Sequence, residues 1–94
     1  MRVEFSVQSR LDLEAAEDYW VPRDPSVYRD LTVSLEHTLL LLAESPSIGT
    51  PVGRSRQRKW RIGRTPFLLF YRHHGEVLRV ARIRHEREDW RRSH

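Results

Sequence analysis

The 94-residue sequence predicts an α+β domain: an N-terminal strand, an antiparallel αα-hairpin packed on a twisted, mostly antiparallel sheet of about four strands, and a short C-terminal helix. Three observations carry this. The first residues alternate apolar and polar with period two. Two segments of helical period then follow, joined by only a few residues around a proline. Finally, a Pro- and Gly-rich loop opens into three strand-like runs, the last two separated by His73-His74-Gly75.

In Arg2 to Val7, the side chains of Val3, Phe5 and Val7 fall on one face and those of Arg2, Glu4 and Ser6 on the other, as in a half-buried strand. Ser9 ahead of Arg10-Leu11-Asp12 reads as an N-cap with an acid at N3, so a helix is expected from Arg10 to Trp20. Its apolar stripe is Leu13, Ala16 and Trp20. Val21-Pro22 ends it, because the residue before proline disfavours the helical region. Asp24-Pro25 opens a second helix with Asp as N-cap and Pro at N1, running from Pro25 to Glu44. Tyr28, Leu31, Leu35, Leu39 and Leu42 line one face. Leu40 and Leu41 fall outside that stripe, so the second half is apolar on more than one side, either buried in its own fold or offered to a partner.

After the loop Ser45 to Gly53, strands are expected at Arg56 to Ile62, Phe67 to Arg72 and Glu76 to Arg84. The run Phe67-Leu68-Leu69-Phe70-Tyr71 reads as a strand buried on both faces. Glu86 to Arg92 is expected to add one or two helical turns. No internal repeat interrupts this, and a single domain over residues 1–94 is expected.

Composition narrows the functional classes. With no cysteine there is no disulfide framework and no thiolate metal site. The opening MRVEFSVQSR has no apolar core of a secretory signal, and Leu39 to Leu42 is far shorter than the ~20 residues of a membrane span. A cytoplasmic protein without membrane contact is therefore expected. Charge is divided by halves: residues 1–47 hold 4 Arg against 9 Asp and Glu, a net of −5, whereas residues 48–94 hold 12 Arg and 1 Lys against 4 acids, a net of +9. Such asymmetry points to a polyanionic or acidic partner.

No metal or other cofactor is expected. His73 and His74 are adjacent in a turn and diverge, and no pair of histidines has helical ligand spacing. Without Cys, a serine elbow or a Gly-rich phosphate loop, covalent hydrolysis and nucleotide binding are poorly supported. What remains is arginine in aromatic company: Arg58, Trp60, Arg61, Arg64, Tyr71, Arg82, Arg84, His85 and Trp90. This combination suits phosphate contact with base stacking, or an acidic partner anchored by aromatics.

The ordered motifs resemble toxins of the RelE/ParE superfamily from type II toxin–antitoxin modules. They are Leu13-Glu14-Ala15-Ala16-Glu17-Asp18, Pro46-Ser47-Ile48-Gly49, Arg58-Lys59-Trp60-Arg61-Ile62-Gly63, Leu69-Phe70-Tyr71-Arg72 and Arg82-Ile83-Arg84-His85. Each is weak alone; their order and spacing over nearly the whole chain carry the resemblance. It implies one of two activities. ParE-like members poison DNA gyrase, with Arg58, Trp60, Arg64, Arg82 and Trp90 as expected target-binding residues here. RelE-like members cut mRNA on the ribosome, which would assign Arg61, Arg84 and His85 to catalysis. The type RelE member carries a Tyr six residues after the last-strand Arg that Arg84 matches, but here that position is Trp90, and indole cannot act as the base. The ending Arg82 to Asp89 also resembles ParE, so gyrase is the favoured target and ribosome with mRNA the alternative. An inactive module that keeps the fold is a third possibility. In either active class a cognate antitoxin is implied, and Leu35, Leu39 and Leu42 are the expected contacts for it.

Overall fold

A computed structural model describes residues 1–87 as two helices on one face of a five-stranded sheet. The elements are β1 (Arg2–Phe5), α1 (Val7–Trp20), α2 (Pro25–Glu44), β2 (Thr50–Pro51), β3 (Arg58–Arg61), β4 (Phe67–His74) and β5 (Val77–His85). The strand order is β1-β5-β4-β3-β2, with β1 parallel to β5 and every other pair antiparallel. Thr50–Pro51 lies in the segment expected as a loop; it is two residues long and reveals itself only by pairing with Lys59 and Arg58. The expected C-terminal helix falls mainly on 88–94, outside the described residues.

α2 matches expectation at both ends. Asp24 is its N-cap, accepting from the Ser26 N–H, and Pro25 starts the helix where no N–H is needed. α1 begins earlier than expected. Its N-cap is Ser6, whose Oγ accepts from the Ser9 N–H at 3.0 Å, while Ser9 is buried inside the first turn. The alternation through Val7 concealed this: the strand stops at Phe5, and Val7 is an exposed first-turn residue.

The core lies between the helices and one sheet face. Leu31, Leu35 and Leu42 of α2 and Ala16 of α1 meet Ile62, Phe67, Leu69, Tyr71, Leu78, Val80 and Ile83. β4 is buried on one face, not two. Phe67, Leu69 and Tyr71 point into the core, whereas Leu68 and Phe70 are half-buried on the opposite face. A register shift at Phe70/Tyr71 places Tyr71 opposite Val80 and Phe70 opposite Arg82. This bulge lets Val80 and Ile83, three residues apart, both reach the core.

β1 pairs with β5 only as far as Val80, which leaves the rest of that edge to be completed by side chains. Ser6 Oγ donates to the Ala81 carbonyl at 2.8 Å, and the Asp12 carboxylate accepts the Ile83 N–H at 2.9 Å. The start of α1 therefore closes the edge that β1 leaves open.

Candidate functional site

A groove follows one side of α2. Asp30, Ser34, His37 and Leu41 succeed one another at three- or four-residue steps and, with Val33 beside Ser34, form its helical wall. The opposite wall is Trp60 and Arg61 of β3 with the turn Gly63-Arg64-Thr65-Pro66. Two hollows of 330 and 410 Å³ meet at Ser34. Apolar surface comes from Val33, which is 52% exposed, and Leu41, 43% exposed, with Trp20, Trp60 and Pro66. Arg29 and Arg64 supply positive charge along it.

The turn that forms this wall is tightly specified. Gly63 has a φ of +58°, and a Cβ there would lie 2.7 Å from Ser34 Oγ, so both its backbone and its neighbour require glycine. Thr65 Oγ1 donates to the Ile62 carbonyl at 2.6 Å and accepts the Phe67 N–H at 3.2 Å, so the turn is held to the start of β4.

Several of the expected site residues make bonds within the fold. Arg58 donates to the Ser47 and Gly49 carbonyls at 3.1 and 2.8 Å, clamping the loop after α2. Tyr71 Oη accepts the Gly49 N–H at 3.0 Å and donates to the Pro46 carbonyl at 2.7 Å, so two side chains from neighbouring strands hold one loop. Burial, the largest cause, raises the Tyr71 pKa above its ordinary value, while the Gly49 hydrogen bond and the Arg58 charge act in the opposite sense. Arg82 grips Asp12 with Nε and a terminal nitrogen at 2.9 and 3.0 Å. Asp12 is buried, and its three accepted hydrogen bonds explain how a carboxylate is tolerated there. Arg58 and Arg82, expected at the target contact, each also clamp the fold. Leu35 and Leu42 are buried in the core and Leu39 is partly buried against it, so the apolar α2 residues available to a partner are Val33, Leu40 and Leu41.

The three residues of the nuclease alternative do not converge. Arg61 and Arg84 both lie opposite Leu68, on the sheet face away from the helices. His85 follows Arg84 along the strand and turns to the other side, where its ring stacks on Trp20 at 6.0 Å and meets the edge of Phe67 at 5.1 Å. Its Nδ1 accepts the Arg87 N–H at 2.9 Å. Arg61 bridges to Glu86 at 2.8 Å and donates to the Thr65 carbonyl at 3.0 Å. Trp60 and Arg64 do line the groove, and Trp90 lies outside the described residues. Among the described residues, no three or more His, Cys, Asp or Glu side chains come together as metal ligands. Sequence reading missed Val33, Ser34, His37 and Leu41 as one surface; their helical spacing was present, but their mixed polarity hid the stripe.

The family profile described as "ParE toxin of type II toxin-antitoxin system, parDE" matches residues 3–90. No curated protein sequence matches the chain. Among solved structures, the chromosomal ParDE TA system from P. aeruginosa aligns at a TM-score of 0.74 with 20% identity, covering 90% of this chain and 95% of that one. The YoeB/ParE toxin from Agrobacterium tumefaciens aligns at 0.62 with 18% identity, covering 90% and 98%. YafQ from E. coli strain BL21(DE3) aligns at 0.54 with 18% identity, covering 92% and 94%. At such identities the structures speak for the fold, whereas the profile spans almost the whole sequence. The two helices on a mixed sheet and the family match agree: the chain belongs to the ParE toxin family of type II toxin–antitoxin systems.

Proposed function

We propose that this toxin acts by poisoning DNA gyrase, and that its antitoxin silences it by laying an apolar, acidic segment along the α2 groove. The observation that carries the first part is the separation of His85 from Arg61 and Arg84. Metal-independent RNA cleavage needs a proton-transfer group beside the cations that stabilise the transition state. His85 instead stands on the opposite side of the sheet, among Trp20 and Phe67. The Trp90 that replaces the RelE-type Tyr supports the same reading. Gyrase with ATP and supercoiled DNA, mixed with the purified toxin, should accumulate cleaved DNA. Unaltered supercoiling and no cleaved product, with transcripts cut during translation instead, would reverse the assignment.

As a type II toxin the chain has a cognate antitoxin partner. The groove supports a docking mode of the helix-in-groove kind: Val33, Leu41 and Trp60 provide apolar contact, and Arg29 and Arg64 face acids of the incoming segment.

A further inference from the structure

The outer end of the β4–β5 hairpin carries a cationic surface separate from the groove. Arg72 and Arg79 are direct cross-strand partners. Like charges in that arrangement destabilise a sheet. Glu4 offsets one of them, bonding Arg79 at 3.2 Å, but the same carboxylate also bonds Arg2 at 3.2 Å. Among the described residues Arg72 makes no ion pair, and neither does Glu76 in the adjoining turn. Arg56, Arg72, His73, His74, Val77 and Arg79 line a depression of 370 Å³. Lys59, opposite Phe70, lies diagonally from Arg72 and extends the charge along the sheet.

We propose that this surface binds the phosphodiester backbone of duplex DNA. Three features select that ligand. The cations are mainly arginines, whose planar guanidinium groups pair with phosphate oxygens through two parallel hydrogen bonds. Among the described residues, the rings lining the depression are the imidazoles of His73 and His74, without the larger Trp, Tyr or Phe platforms on which single strands stack, so contact with the backbone is favoured over contact with bases. Its only aliphatic side chain is the half-buried Val77, which leaves an acidic peptide without the apolar anchor that protein interfaces rely on. Arg72 and Arg79, side by side, then exchange mutual repulsion for a shared anion. The surface does not depend on gyrase being the target and is tested with DNA alone.

The test is fluorescence anisotropy of the full-length toxin with a short labelled duplex of mixed sequence, the matching single strand, and a polyglutamate peptide, titrated from about 50 to 200 mM salt. The duplex should bind in preference to the other two probes. Arg72→Ala should weaken duplex binding and reduce the slope of log K against log salt by ~0.9, one phosphate contact. Arg56→Ala/Arg72→Ala should reduce it by about twice that. Arg10→Ala, with the same loss of charge on α1, should leave the slope unchanged. Because Arg72 faces a like charge, its removal should leave the melting temperature equal or higher, which separates lost binding from lost folding. Equal weakening by Arg10→Ala and Arg72→Ala would overturn the proposal, as would tighter binding of the single strand or of polyglutamate.

Discussion

Tyr71 is the residue from which the second half of the fold is suspended. It is fully buried, yet its hydroxyl reaches across to both Pro46 and Gly49. A Cβ on Gly49 would stand 2.5 Å from that hydroxyl, so glycine is needed at this position for want of space. Tyr71→Phe strands a buried N–H and a carbonyl and should destabilise by about 1–3 kcal/mol in urea titration at neutral pH. The tyrosine also sets an alkaline limit. Its folded pKa lies above the ordinary 10.0, so the folded state holds the proton more strongly than the unfolded chain. That contribution is complete below pH 10.0 and is lost as pH rises through the folded value. Stability should therefore fall with pH above that point, and fall less steeply in Tyr71→Phe. Asp12 plays the corresponding part at the other end of the molecule. Asp12→Ala removes the carboxylate shared by Arg82 and the buried Ile83 N–H and should cost about 1–3 kcal/mol, read as a lowered denaturation midpoint.

At the scale of elements, α2 divides its side chains between two tasks. Leu31, Leu35, Thr38 and Leu42 are buried, while Val33, His37 and Leu41 border the groove. Adjacent leucines should thus respond differently to the same change. Leu41→Asp should leave the thermal transition nearly unmoved and weaken antitoxin binding at least tenfold, about 1.4 kcal/mol, by calorimetric titration. Leu42→Asp places an unpaired charge in the core and should abolish folding. Equal antitoxin affinity in wild-type and Leu41→Asp protein would remove the groove as the docking site. β5 shows a similar division along its length. It pairs with β1 at one end and relies on Ser6 and Asp12 at the other, so the N-cap and second turn of α1 stabilise the sheet as well as the helix.

For the whole molecule, the acidic first half and basic second half are brought together by the fold, and part of the charge asymmetry is neutralised internally. Arg82 with Asp12 and Arg79 with Glu4 join the two halves. Arg54, Arg56, Arg64 and Arg72 remain exposed at the surface, on the side of the chain that sequence reading assigned to an anionic partner. No described helix is long and apolar enough to cross a membrane. The described residues present the mixed apolar and basic groove beside α2 and, apart from it, the basic end of the β4–β5 hairpin.

The sequence by itself determined the α+β architecture, both ends of α2, the centres of the long strands and the partition of charge, because these follow from local periodicity, capping chemistry and composition. It also carried the family resemblance in the order of its motifs. Tertiary structure alone decided which arginines are available. Asp12 and Arg82 lie 70 positions apart in the chain, and nothing local indicates that they meet. The shift at Phe70/Tyr71 interrupts the period of two on which face assignment depends. Arg84 and His85, neighbours in sequence, stand on opposite sides of the sheet because adjacent strand residues diverge, and only the packing of α1 against β5 reveals which of them meets the helix.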